Sequence, residues 1–318
     1  MYAETTKMTF SITIPAYKAR FLDEAIKSVI AQTYQDWQLV IVDDCSPEDL
    51  KGIVEPYLAD SRVEYYRNEK NCGAVDVVDN WNICLSHCTG DYVICMGDDD
   101  RLLPCCLAEL SKTIDMYPEL NVYHLQTEII DESGKVIETL EERPEQEDVL
   151  SLMTKRWEGR KQYIGDFCYS RKHLNAFGGY FPLPYAWGSD DITLFRAALP
   201  SGIANVSRTG FQYRENQYSI SLSHNDAEKV ATVLLQREWY QKAFAELIPQ
   251  GVFPKTDIQN ALNSMNGFVR GLIIGHIKRD LKQGGVHKYW YWLWNYPKQV
   301  LSCLTMIKIY ILSITQRP

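Results

Sequence analysis

The spacing of apolar residues changes repeatedly along the chain, and each change marks an element. Residues 10–15 (Phe-Ser-Ile-Thr-Ile-Pro) form a short β-rich run closed by proline, and residues 37–42 (Trp-Gln-Leu-Val-Ile-Val) form a second. Between them Phe21, Leu22, Ala25, Ile26, Val29 and Ile30 recur at helical spacing. The same reading predicts helices over 50–58 and 75–88, a strand over 63–66 and a buried strand over 92–96. It continues with a helix over 107–117, a strand over 122–125 and another over 165–169. Ser189 or Asp190 is the expected N-cap of a helix running through Arg196 and Leu199. Strands alternating with helices predict an α/β fold, a mainly parallel sheet with helices on both faces. Right-handed crossovers then align the ends of the parallel strands on one edge, where open α/β sheets collect ligands.

After residue 221 the pattern becomes helical. Residues 227–247 and 258–281 read as two helices joined by the Pro/Gly-containing loop 249–254. This divides the chain into a domain over 1–222 and a helical extension over 223–318. The tail from Val286 is rich in Trp and Tyr, and over 299–314 Lys308 is the only charge. Rings of this kind favour a membrane–water interface, so the tail suits peripheral contact with the inner face of the cytoplasmic membrane. Packing on the domain core or across a homo-oligomer interface accounts for the same rings, and both readings stay open.

The strand ends carry the chemistry. The 92–96 strand empties into Asp98, Asp99 and Asp100, and the 37–42 strand into Asp43 and Asp44. An isolated acidic triplet is usually a solvated turn, but at a strand end of an α/β sheet it faces the crevice. Hard carboxylate oxygens suit Mg²⁺ or Mn²⁺, and such an ion can hold a diphosphate. Composition supports this: net charge is −8, so an anionic ligand needs a local cation, and nothing advertises nucleic-acid binding. Nine scattered cysteines without Cys-x-x-Cys spacing read as free thiols in a reducing cytoplasm. Neither a leader peptide nor an apolar run of about 20 residues is expected.

These residues resemble one family. Ser11-Ile-Thr-Ile-Pro-Ala-Tyr-Lys18, Gln32 to Ser46, Asn71-x-Gly73, Gly90-Asp-Tyr92 and the Asp triplet are similar, in order, to the inverting nucleotide-sugar glycosyltransferases of family 2, with the GT-A (Rossmann-like) fold. The resemblance covers about residues 9 to 222 and implies a metal-dependent, inverting transfer of a sugar from a nucleotide diphosphate sugar, a UDP-sugar, to a carbohydrate or lipid-linked acceptor. Bacterial surface polysaccharide biosynthesis is the setting it implies. Pro15, Ala16 and Tyr17 would line the base, Asp44 would accept from its imide, and Asp43 would support that loop. Asn71, Gly73 and Asn82 fall in the donor region. The family's Asp-x-Asp-Asp aligns on Gly97, Asp98, Asp99 and Asp100, so its first Asp is glycine here. Asp98 would meet the ribose or diphosphate, and Asp99, with Asp98 and Asp100, would hold Mn²⁺ or Mg²⁺. The family's Arg-Asn is Trp81-Asn82 in this chain.

On the acceptor side the resemblance implies one carboxylate base, Asp190 or Asp191, because an acceptor hydroxyl must lose its proton as it attacks. Helix capping explains the same pair, and one Asp can do each. Tyr213-Arg214-x-Asn216-x-x-Ser219-Ile220-Ser221 aligns with Tyr-Arg-x-His, placing Asn216 where the family has a metal-proximal His and leaving Arg214 to reach phosphate or form a salt bridge. His224 is out of register and reads as structural. Two other functions compete with this one. A sugar nucleotidyltransferase would need a glycine-rich phosphate loop after the first strand, which residues 14–18 lack. A non-catalytic binding scaffold would not need Asp99 or the Asp190–Asp191 pair.

Overall fold

The computed structural model describes residues 8–216, 226–283 and 285–315. Ser219, Ile220, Ser221 and His224 lie outside the described residues. The chain forms two compact units: Met1–Leu152 with Lys161–Ile220, and Met153–Arg160 with Ser221–Pro318.

The first unit is built on a ten-stranded sheet. In chain order its elements are β1 (Phe10–Ala16), α1 (Leu22–Ile30), β2 (Trp37–Asp43), α2 (Leu50–Val54), β3 (Val63–Arg67), α3 (Val77–Ser86) and β4 (Tyr92–Cys95). There follow β5 (Arg101–Leu102), α4 (Cys106–Met116), β6 (Val122–Ile130), β7 (Val136–Thr139), β8 (Gln146–Glu147) and α5 (Val149–Trp157), of which only residues 149–152 belong to this unit. The unit closes with β9 (Phe167–Ser170), α6 (Arg171–Ala176), α7 (Ser189–Ala198) and β10 (Ile203–Arg214). The strand order is β3-β2-β1-β4-β9-β6-β10-β5, with β7 on β6 and β8 on β10.

Strands β3, β2, β1 and β4 run parallel, so the C-terminal ends of β1, β2 and β4 share one edge. β9 then runs antiparallel to both β4 and β6. The sheet is therefore mixed and mainly parallel, as the resemblance implies. The β1 and β2 side chains are buried on both faces, apart from a half-buried Pro15, which is why these strands read as unbroken apolar runs. On α1, the stripe Leu22, Ala25, Ile26 and Val29 is fully buried against the sheet. Leu22, Ile26 and Val29, so buried, each contribute roughly 1.5–3 kcal/mol.

One expectation is corrected here. The N-cap of α7 is Gly188, at φ +82°, and no side chain caps the helix. The Ser189 hydroxyl instead accepts from the Leu183 N–H at 3.0 Å. Immediately upstream, Tyr185 and Ala186 both lie in the left-handed region, at φ 61° and 54°, a conformation that costs a non-glycine residue free energy.

The second unit contains α8 (Asp226–Gln250), α9 (Lys255–Gln283), α10 (Gly285–Asn295) and α11 (Cys303–Thr315). On α9, Ile258, Ala261, Met265, Val269, Ile273 and Ile277 recur every three or four residues and are buried. Trp157 packs edge-on against Tyr240 of α8 at 5.1 Å and near Phe244. A buried polar cluster ties α8 to α9: His276 Nδ1 lies 2.6 Å from Asp226, with Arg279 also on that carboxylate. Among the described residues no helix is long and apolar enough to cross a membrane.

Candidate functional site

The common edge of β1, β2 and β4 holds the acidic residues. Beyond β1, the backbone N–H groups of Tyr17 and Lys18 both donate to Asp98 Oδ2, at 2.8 and 2.7 Å. The loop after β4 is thus fastened to the loop after β1. Beyond β2, the Asp44 N–H donates to the Ala16 carbonyl at 2.9 Å. The Asp44 carboxylate accepts from Asn68 Nδ2 at 2.8 Å and from the Cys72 N–H, while its carbonyl accepts from Asn71 Nδ2 at 2.6 Å. Gly73 follows at φ +82°, a turn that favours glycine. Asp43 is fully buried and accepts from the Ser46 N–H, the Tyr65 hydroxyl and Arg67. Its role is to hold the loop that carries Asp44.

The 97–100 turn is held from a strand far along the chain. Asp100 Oδ1 accepts from the Arg214 N–H at 2.9 Å and Asp100 Oδ2 from the Gly97 N–H at 3.1 Å. Arg214 itself is buried. Its guanidinium donates to the Asp99 carbonyl at 2.8 Å, to the Asp131 and Glu132 carbonyls and to Glu24 at 2.7 Å, and it stacks on Phe21. Asn216 Nδ2 donates to Asp99 Oδ2 at 2.7 Å. A Cβ at Gly97 would sit 2.7 Å from Asp99 Oδ1 and 2.9 Å from Asp100 Oδ2, so a side chain there would displace those carboxylates.

Burial pushes the Asp98 carboxyl up to about 6 and the Asp99 charge adds to this, against the Lys18 charge and the two N–H donors. Asp100 is raised well above the carboxylate range by the same two causes.

A cavity of about 460 Å³ opens over this edge, a size suited to a small-molecule ligand. Pro15, Tyr17, Asp44, Asn71 and Gly73 line one part and Asp98, Asp99 and Asp100 another. Trp81, Ile164, Tyr185, Ala186 and Tyr213 supply apolar walls, with Tyr213 stacked on Tyr163 at 3.7 Å. A second cavity of about 340 Å³ is lined by Arg20, Phe21, Glu48 and Asn216. The two cavities share Lys18, Asp98 and Asp99.

Other expected residues lie off the cavity. Ala16 is buried and acts through its backbone. Asn82 clamps the backbone of Tyr180, donating to its carbonyl and accepting from its N–H. Arg214 reaches the carboxylate turn and does not line either cavity. Asp190 is half-buried on the first turn of α7, and Asp191 is buried and accepts from Gln162 Nε2 at 2.8 Å. Neither is among the residues that line the two cavities. The sequence reading gave no role to Lys18, Tyr185 or Glu24. Lys18 alone left a signal, as the cation that directly follows the Tyr17 position of the motif.

Among the described residues no three or more His, Cys, Asp or Glu side chains converge as a ready-made metal site. The donors at the cavity junction nevertheless fit a cation that relies on its ligand. Mg²⁺ and similar ions take one or two carboxylates and complete their shell with phosphate oxygens and water. Asp99 and Asp98 Oδ1 supply oxygens of that kind where the two cavities meet.

The sequence model of the family described as Glycosyl transferase family 2 matches residues 11–182, more than half of the chain. EpsE of Bacillus subtilis (strain 168), which carries a glycosyltransferase name, is 30% identical over 117 residues, 36% of this chain and 41% of its own. WcaA of Escherichia coli (strain K12), named for colanic acid biosynthesis, is 40% identical over 97 residues, 30% of this chain and 33% of its own. The chain thus matches less than half the length of either relative. Among solved structures, residues 1–349 of S. aureus TarS in complex with UDP-GlcNAc superpose with a TM-score of 0.67 at 14% identity, covering 97% of this chain and 88% of that one. That likeness is one of fold.

Proposed function

The chain belongs to glycosyl transferase family 2 and has its GT-A fold, and on that premise we propose that it moves a sugar from a UDP-sugar to a carbohydrate or lipid-linked acceptor, with inversion, in bacterial surface polysaccharide assembly. The observation that carries this reading is the Asp98–Asp99 turn, tied to the backbone after β1 and shared by two adjoining cavities.

In this reading Pro15 and Tyr17 pack on the base and Asp44, held rigid by Asn68 and Cys72, accepts from it. Lys18 faces the diphosphate. Mn²⁺ or Mg²⁺ held by Asp99 and Asp98 would offset the charge that grows on the departing diphosphate. Asp100 and Arg214 position that turn, Asp100 by accepting from the Gly97 and Arg214 N–H groups and Arg214 by joining the Asp99 carbonyl to Glu24. Asp190 takes the proton of the acceptor hydroxyl, because Asp191 is buried against Gln162 while Asp190 keeps partial exposure. The acceptor oxygen bonds to the anomeric carbon as the bond to the diphosphate breaks on the opposite face, which inverts that carbon. Five buried thiols, Cys84, Cys88, Cys95, Cys106 and Cys168, suit a reducing cytoplasm.

The test is release of nucleoside diphosphate from a panel of nucleotide sugars by purified protein, with saccharide acceptors, in Mn²⁺ or in EDTA. Release from one donor, stimulated by metal, supports the reading. Tight nucleotide binding with no turnover on any donor would favour a binding scaffold.

A further inference from the structure

We propose that α10 and α11 form a docking surface for a lipid membrane with anionic headgroups. This inference does not depend on the transfer reaction.

The aromatic residues of α10 divide into two sets. Tyr289 and Trp292 are internal: the Tyr289 hydroxyl meets Ser313 of α11 at 3.0 Å, and Trp292 Nε1 donates to Asp280 of α9 at 2.7 Å. Trp290 and Trp294, four residues apart on another face, are 61% and 73% exposed, with Leu293 beside them. On α11, Met306 and Ile309 are buried, whereas Leu304, Ile307 and Ile311 stand in solvent at one helical spacing. Lys308 projects from that same exposed face. Large apolar side chains gathered on an exposed face mark an interaction surface.

Charge selects the occupant. Residues 284–318 contain no Asp or Glu and four cations, Lys288, Lys298, Lys308 and Arg317, in a chain of net charge −8. Lys288 pairs with Asp280 at 3.1 Å, which leaves exposed Lys298 and Lys308 facing outward. A second copy would bring like charges together, and interface cores are depleted of lysine. A lipid surface suits the set: tryptophan rings settle at headgroup depth, and lysine stems lie along apolar surface with the ammonium among phosphates. Among the described residues no helix is long and apolar enough to cross the bilayer, so the proposed contact is peripheral.

Flotation of the full chain with phosphatidylcholine vesicles, with and without phosphatidylglycerol, tests this. The intact protein should float with the anionic vesicles, less so as salt rises. Lys298→Gln with Lys308→Gln should weaken binding roughly 30-fold, from about fivefold per lysine near the surface. Trp290→Ser with Trp294→Ser, and separately Leu304→Ser with Ile307→Ser, should reduce binding without lowering the melting temperature, because these side chains are exposed. Failure of the intact protein to bind anionic vesicles overturns the proposal. So does vesicle binding that neither apolar pair affects. Light scattering distinguishes the rival occupant: self-association abolished by the same variants, with no vesicle binding, would assign this face to a second copy.

Discussion

At the scale of single residues, the carboxylate turn depends on a side chain that never reaches the cavity. Arg214 holds the Asp99 carbonyl and ties it to Glu24 and to the carbonyls of Asp131 and Glu132. Arg214→Met should cost about 3 kcal/mol in urea unfolding, the range for losing charged hydrogen bonds that leave buried acceptors unpaired. Nucleotide affinity should fall with it. Asp99→Asn has a different signature: unfolding should change little, while calorimetric titration of UDP should lose its dependence on Mn²⁺. Equal UDP affinity in Mn²⁺ and EDTA for the unaltered protein would sink the metal assignment. Asp190→Asn should lower turnover roughly 10²–10⁴-fold with donor binding near normal. Full activity in that variant and loss in Asp191→Asn would move the base by one residue. The acidic residues were legible in the sequence because strand ends of an α/β sheet face the ligand edge. The partners of Arg214 were not, because they are mostly backbone carbonyls, which carry no signature in the sequence. The left-handed Tyr185 and Ala186 left no trace either, since neither residue type announces a positive φ.

At the scale of elements, β1, β2 and α1 were legible because burial on two faces, or on one stripe, writes a run or a period directly into the sequence. The direction of β9 was not, since Phe-Cys-Tyr-Ser reads the same for a parallel or an antiparallel neighbour. The start of α7 was misplaced because Ser189 and Asp190 look like caps, while the turn needed a left-handed Gly188. The α8–α9 pair carries a pH prediction of its own. Burial is the largest influence on His276 and depresses its pKa, aided by Arg279 and Lys229, against the hydrogen bond and charge of Asp226. The folded state therefore resists protonation that the unfolded chain accepts. Stability from this group is present above the ordinary histidine range and is lost as pH falls below it. The denaturation midpoint should drop between pH 7.5 and 5.5, and by less in His276→Gln. An identical drop in both proteins would assign the effect elsewhere.

At the scale of the whole molecule, the division into 1–222 and 223–318 is a proposal that one segment complicates. Residues 153–160 belong with the helical unit, and Trp157 packs there on Tyr240 and Phe244. A chain ended at 222 should therefore leave Trp157 in water, with red-shifted emission and a tendency to aggregate. Trp157→Ser in that fragment should relieve the aggregation. Soluble fragment with a blue, buried emission would show the first unit to be self-sufficient. The bond between Arg214 and Asp100 joins residues 114 apart in the chain. On a ribosome elongating at about 5–20 residues per second, the carboxylate turn therefore emerges roughly 6–23 s before the strand that fastens it. Throughout that interval the nascent chain presents three neighbouring carboxylates with no β10 to order them. The site proposed for the nucleotide is thus completed late, only once Arg214 has been made and β10 has joined the sheet.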